Sequence, residues 1–121
     1  MALLDTSYLI QKLDWEEDFS DVYHHKISIV TLYEYLVGRR RPKELKTALE
    51  SILEVVPLTN EIILTAVDVK KRLKSSGLDV PEPDVFIAAT ALVVGEELWT
   101  YDSDFLKIKN VAPLEVRLFT R

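Results

Sequence analysis

An α/β sandwich, with a mostly parallel central sheet flanked by helices in three layers, is the fold class this sequence predicts. Three observations carry it. Runs of strand length (residues 2–4, 27–30, 55–56, 97–101 and 115–119), that over 27–30 β-branched, alternate with stretches of helical period, the order that builds parallel crossover units. The stretch 84–94 is apolar all round, as a helix buried on most sides must be. Finally, 121 residues with 48% hydrophobic and 29% charged side chains supply one core and a polar exterior, so 1–121 reads as a single domain.

The elements follow in order. Ala2-Leu3-Leu4 is a short strand ending at Asp5, and Thr6 starts a helix running to residue 13. A second amphipathic turn carries Trp15, Phe19 and Val22 among Asp14, Glu16, Glu17, Asp18 and Asp21, acids that read as a wet face. Residues 27–30 read as a strand, after which Thr31 begins a helix ending near Gly38. Pro42 fits the first turn of the next helix, with Leu45, Leu49 and Ile52 at helical spacing. Val55-Val56 is a short strand or a bend before Pro57. A long helix then buries Ile62, Ala66, Val69 and Leu73, and Gly77 stops it. Pro81 and Pro83 punctuate a loop before the helix 84–94, and the strands 97–101 and 115–119 complete the sheet.

Absences narrow the chemistry. Without cysteine there is no disulfide, no thiolate zinc site and no thiol nucleophile. Three scattered glycines exclude a Walker loop and a dinucleotide fingerprint. The two histidines, His24 and His25, exclude a three-histidine metal centre and read as loop residues. Gln11, Asn60 and Asn110 are the sole side-chain amides, and scarce thermolabile residues beside abundant Glu, Lys and Arg point to a thermophilic source. The apolar run 85–94 is too short to span a bilayer, and the N-terminus lacks the basic start of a signal peptide. The expected location is the cytoplasm, with no membrane partner.

The formal charge is −5, an odd total for a nucleic-acid binder, since phosphate neutralisation needs cations. Its distribution matters more. Arg39, Arg40, Arg41 and Lys43, with Lys46, form one basic cluster, and Lys70, Lys71, Arg72 and Lys74 another. The second reads as a solvated helix face. The first follows directly on the helix bearing Glu34 and is the candidate phosphate-binding surface.

In open parallel sheets ligands sit beyond the carboxyl ends of the strands. Asp5 ends the first strand, Glu34 lies in the first turn after the second, Asp84 opens the buried helix, and Asp102, with Asp104, follows the strand 97–101. Each has a plain structural explanation. Thr31-Leu32-Tyr33-Glu34 matches a capping box, Asp84 favours the dipole of its helix, and Asp102 could cap a turn. Together they are harder to dismiss. Two carboxylates 5 Å apart repel by about 3 kcal/mol at an effective dielectric near 20. A marginally stable domain does not tolerate several such pairs uncompensated. Either some are protonated or a cation sits among them, and an all-oxygen donor set favours Mg²⁺ or Mn²⁺. Such a centre suits phosphodiester hydrolysis.

These segments carry a family resemblance. Leu3-Leu4-Asp5-Thr6-Ser7-Tyr8-Leu9-Ile10, Ile29-Val30-Thr31-Leu32-Tyr33-Glu34-Tyr35-Leu36-Val37-Gly38, Asp84-Val85-Phe86-Ile87-Ala88-Ala89-Thr90-Ala91-Leu92 and Leu98-Trp99-Thr100-Tyr101-Asp102-Ser103-Asp104-Phe105 occur in family order. The chain resembles PIN-domain nucleases, most closely the VapC-type toxins of prokaryotic toxin–antitoxin pairs. The resemblance implies a PIN-like sandwich and Mg²⁺- or Mn²⁺-dependent endoribonuclease activity on single-stranded or loop RNA. Asp5 and Asp84 match the family's most direct metal ligands, Glu34 and Asp102 complete its acidic quartet, and Asp104 matches an acid often found beside the fourth position. Thr6 and Thr100 match hydroxyls that support the acids, while Ser7 stands where such sequences frequently carry Asn. The resemblance also implies a homodimer restrained by a VapB-like antitoxin, for which Leu13, Trp15, Phe19 and Tyr35 are a candidate groove.

By that reading, water attacks phosphorus in line at a metal held by the acids, leaving 5′-phosphate and 3′-hydroxyl ends, and Arg39, Arg40, Arg41 and Lys43 line the RNA approach. Trp99 and Tyr101 read as core or edge residues rather than base-stacking platforms. Two other classes compete. A phospho-acceptor signalling domain would need an acidic pair at the first site and a lysine after the last central strand, where this chain has Asp5 alone and Asp102-Ser103-Asp104. A non-catalytic PIN-fold binding module would have no need of the retained acids.

Overall fold

The computed structural model describes residues 1–121. Five strands form one sheet in the order β3-β2-β1-β4-β5, every neighbouring pair parallel. The strands are β1 (Ala2–Leu4), β2 (Lys26–Ser28), β3 (Glu54–Val56), β4 (Glu97–Thr100) and β5 (Val116–Leu118). Between them run α1 (Thr6–Ile10), α2 (Ile29–Leu36), α3 (Pro42–Ile52), α4 (Asn60–Ser75), α5 (Glu82–Val94) and α6 (Phe105–Lys109). The sheet is thus entirely parallel where the sequence predicted mostly so.

β1 is central and buried on both faces. Leu3 points into a core layer built from α4, α5 and α6, and Ala2 and Leu4 into a second layer with α1, α2 and α3. This is the period-two alternation of a strand, and it explains why β1 reads as a short continuous apolar run. The α4 stripe Ile62, Ala66, Val69 and Leu73 is buried as its spacing predicts. Gly77, at φ +69°, ends that helix: Leu78 N–H reaches Leu73 O at 2.9 Å and Gly77 N–H reaches Lys74 O at 3.1 Å, a Schellman closure.

Several sequence expectations need correction. The strand read over 27–30 ends at Ser28, whose hydroxyl accepts from Thr31 N–H at 3.0 Å. Ser28 is therefore the cap, and Ile29 and Val30 begin α2 despite their β-branched side chains. Glu34 accordingly lies in the second turn of α2, not the first, and Thr31 to Glu34 is not a capping box. The helix after Pro81 starts at Glu82, with Pro83 inside its first turn. α1 passes into a π-helical turn over Gln11–Trp15. The amphipathic turn read after it does not form a helix, and Trp15 and Phe19 are exposed while Val22 is buried. Tyr101 lies just past β4, and α6 went unpredicted because five residues are too few for a legible period.

Candidate active site

The parallel topology places the carboxyl ends of β1, β2 and β4 along one edge. Asp5 continues directly from β1, its N–H donating to Trp99 O at 2.9 Å, and caps α1. Its side chain is only 3% exposed. Oδ2 accepts hydrogen bonds from the Ser7 hydroxyl at 2.6 Å and the Thr100 hydroxyl at 2.8 Å. Burial pushes the Asp5 carboxyl above its ordinary range, against the Ser7 and Thr100 hydroxyls and nearby backbone N–H groups, which favour the ionised form.

The same hydroxyls brace the turn after β4. Ser7 Oγ accepts from Tyr101 N–H at 3.0 Å, and Thr100 Oγ1 accepts from Asp102 N–H at 2.9 Å. Asp104 N–H in turn donates to Asp102 Oδ1 at 2.9 Å, so the peptide chain folds two carboxylates into one tight turn. Across the edge, Thr6 Oγ1 donates to Glu34 Oε1 at 2.6 Å and lies 3.1 Å from Thr31 Oγ1. Glu34 is thereby tied to the residue following Asp5.

Asp84 completes the cluster from the first turn of α5. Carboxylate oxygens of Asp84, Asp102 and Asp104 all lie within 4.8 Å of one another. Burial, followed by the charges of Asp5, Asp102, Glu34 and Asp104, pushes the Asp84 carboxyl up to about 7. The five acids therefore share one electrostatic field. The sole cation in ion-pair contact with any of them is Lys107, 3.2 Å from Asp104. An all-oxygen, half-buried and under-neutralised donor set fits a hard divalent cation.

The basic cluster divides. Arg39 is engaged elsewhere: its guanidinium binds Asp14 at 2.7 Å and Tyr35 O at 2.8 Å and lies over the Tyr35 ring at 4.2 Å. Arg40 and Arg41 remain exposed without carboxylate partners and, with Arg39 and Glu44, line an open depression of about 560 Å³. Lys43 lies on its flank. Of the second cluster, Lys70 pairs with Glu82 and Arg72 with Asp68. His25 Nδ1 accepts from Ala2 N–H at 3.0 Å, at the end of β1 remote from the acids. Of the candidate groove, Leu13 and Tyr35 are core residues, and Trp15 and Phe19 alone are exposed.

Sequence reasoning undervalued Ser7, treated as a departure from the family pattern, overlooked Ser28, and took Thr31 for a helix cap rather than a hydroxyl against Thr6. The available signal was the pair of hydroxyls after Asp5: a carboxylate leaving a buried strand needs donors, and Ser7 is one of those it finds.

A model of the PIN domain matches residues 2–111. The chain belongs to the PIN domain family. Ribonuclease VapC1 of Methanocaldococcus jannaschii is 28% identical to this PIN domain over 100 residues, covering 81% of this chain and 73% of that protein. A VapC ribonuclease of Pyrococcus furiosus is 38% identical over 81 residues, 64% of this chain and 54% of that one. Among solved structures, VapBC-5 of Mycobacterium tuberculosis, a member of the VapBC family of toxin–antitoxin systems, aligns with TM-score 0.73 and 28% identity over 98% of each chain. The five-stranded parallel sheet and its helices are those of the PIN fold.

Proposed function

We propose that this PIN domain is a Mg²⁺- or Mn²⁺-dependent endoribonuclease and the toxin of a VapBC-type pair. The observation that carries this reading is the gathering of Asp84, Asp102 and Asp104, in the field of Asp5 and Glu34, with Lys107 paired to Asp104 as the only ion-pair contact. The ribonuclease names of its relatives support it.

Asp5, Asp84, Glu34, Asp102 and Asp104 are the residues that would hold the ion. Bound there, it supplies Lewis-acid polarisation of a phosphodiester oxygen and lowers the pKa of water. Ser7 and Thr100 orient Asp5 and favour its charge, and Thr6 fixes Glu34. Asp84, whose carboxyl burial and the neighbouring acids push up to about 7, would give up its proton to a cation held there. Arg40, Arg41 and Lys43 hold phosphates of the approaching strand, while Arg39 braces that loop through Asp14. In-line hydrolysis leaves 5′-phosphate and 3′-hydroxyl ends. The protein acts as a homodimer, a role supported by the exposed apolar Leu64 and Val67 of α4, and a VapB-like antitoxin covers the site. No helix is long and apolar enough to cross a membrane, which accords with action in the cytoplasm. The composition accords with a thermophilic host.

The test is cleavage of a structured RNA by the purified chain in Mn²⁺, with and without chelator. Asp5→Asn and Asp84→Asn should each lower the rate by at least about a hundredfold, the loss expected when several kcal/mol of charge stabilisation is removed. Cleavage indifferent to chelator and to both substitutions belongs to a contaminant and overturns the reading. RNA binding without cleavage would leave a non-catalytic binding module.

A further inference from the structure

One face of the sheet is unevenly covered. On the side carrying α1, α2 lies over β2 and β3, α1 reaches β4, and no helix of that layer packs substantially on β5. Aromatic rings occupy the gap. Trp99 and Tyr101 from β4 and its end, and Phe119 just past β5, surround Tyr8 with centroid separations of 5.6, 5.8 and 5.0 Å. Tyr8 is buried, but the other three rings are only half-buried and form part of the surface.

Two exposed guanidinium groups lie on these rings. Arg117, the cross-strand partner of Trp99, is 5.3 Å from the Trp99 centroid and 5.1 Å from that of Phe119. Arg121 is 4.9 Å from the Tyr101 centroid and donates from Nε to Gln11 Oε1 at 3.0 Å. Neither has a carboxylate partner among the ion pairs of the molecule. Planar cations over aromatic faces offer flat stacking surfaces and phosphate contacts together. A nucleotide with an unpaired base matches both demands, whereas a duplex hides its base faces in the stack.

The position relative to the acids gives this surface its direction. Tyr101 immediately precedes Asp102, and its N–H is held by the Ser7 hydroxyl that also binds Asp5. We propose that the Trp99–Tyr101–Phe119 face, with Arg117 and Arg121, seats unpaired bases of a single-stranded RNA whose backbone then passes the acid cluster. The proposal rests on the ribonuclease reading for the identity of its ligand. It assigns substrate selection to the uncovered edge of the sheet, remote in sequence from the Arg40–Lys43 surface.

The test uses Trp99 fluorescence. The chain has two tryptophans, so Trp15→Phe leaves Trp99 as the sole indole. In chelator at low salt, a short oligoadenylate should quench Trp99 and bind about tenfold more tightly than an abasic strand of equal length and charge, the preference expected from one stacked base. Arg117→Lys and Arg121→Lys keep the charge and lose the plane, and should reduce that preference to about threefold or less. Both positions are exposed, and an unchanged thermal midpoint confirms folding. Equal binding and quenching by the two strands, or a preference untouched by both lysine variants, overturns the proposal and leaves the face to a protein segment. Because chelator removes cleavage from the measurement, failure here with metal-dependent cleavage intact sinks the base seat alone. Loss of cleavage with the preference intact sinks the nuclease reading alone.

Discussion

The two ends of the sheet treat their carboxylates differently. At the amino end, Glu96 is largely buried; its Oε2 accepts no hydrogen bond, and the nearest cation is Lys26, Nζ to Oε2 at 3.9 Å. At the carboxyl end, five acids share one edge, Lys107 pairs with Asp104 alone, and the remaining donors are hydroxyls and backbone N–H groups. Hydroxyls orient a carboxylate without cancelling its charge. One acid with a cation in reach differs in kind from a cluster whose mutual repulsion only hydroxyls and a single lysine meet, and the cluster is where an external cation belongs.

The largest effect expected within this contrast comes from the hydroxyl brace. Thr100→Val removes a donor to Asp5 and the acceptor for Asp102 N–H, and should lower Mn²⁺ affinity and cleavage about ten- to a hundredfold. Ser7→Ala should fall at the lower end, because Thr100 still binds Asp5. Steady-state cleavage across a Mn²⁺ series measures both, and wild-type values in both variants would remove the brace from the account of the site.

A smaller effect concerns pH. The Asp84 carboxyl rises from its ordinary 3.8 to about 7 in the folded protein, so the folded state holds that proton more tightly than the unfolded one. Its contribution to stability is complete below about pH 4 and disappears as pH rises through about 7. In chelator the thermal midpoint should fall across that interval; saturating Mn²⁺ should flatten the slope, and Asp84→Asn should remove much of it. Scanning calorimetry at several pH values decides this, and a midpoint rising from pH 4 to 7 in the metal-free protein would contradict it.

The smallest effect lies at the amino end. Lys26→Met leaves the largely buried Glu96 without a cation in reach and should cost about 1–2 kcal/mol in urea unfolding, with cleavage unchanged. An equal loss of cleavage would mean the two ends are not independent.

How much of this was legible beforehand varied by residue. Asp5 was plain, because an acid directly after a strand buried on both faces needs donors. Asp84 and Asp102 were placed by strand order, since a parallel sheet brings its carboxyl ends to one edge. Glu34 was given the wrong turn, because Ile29 and Val30 have strand-like side chains and the Ser28 hydroxyl outweighs that preference by capping α2. Arg39 was grouped with its neighbours because charge along a chain does not reveal pairing. Its engagement with Asp14, 25 residues earlier, is a tertiary fact. Trp99 and Tyr101 were read as core or edge rather than base-stacking platforms for a related reason: alternation shows which residues share a side of a strand, not whether a helix covers that side.

The most direct measurement is a Mn²⁺ titration of the metal-free protein near pH 7, followed by the electron paramagnetic resonance of the free ion. Saturable uptake by the wild type, greatly weakened in Asp84→Asn and retained in Lys26→Met, is the predicted result. No uptake, or uptake that Asp84→Asn leaves unchanged, would mean that the gathered carboxylates at the edge of the sheet are not a cation site.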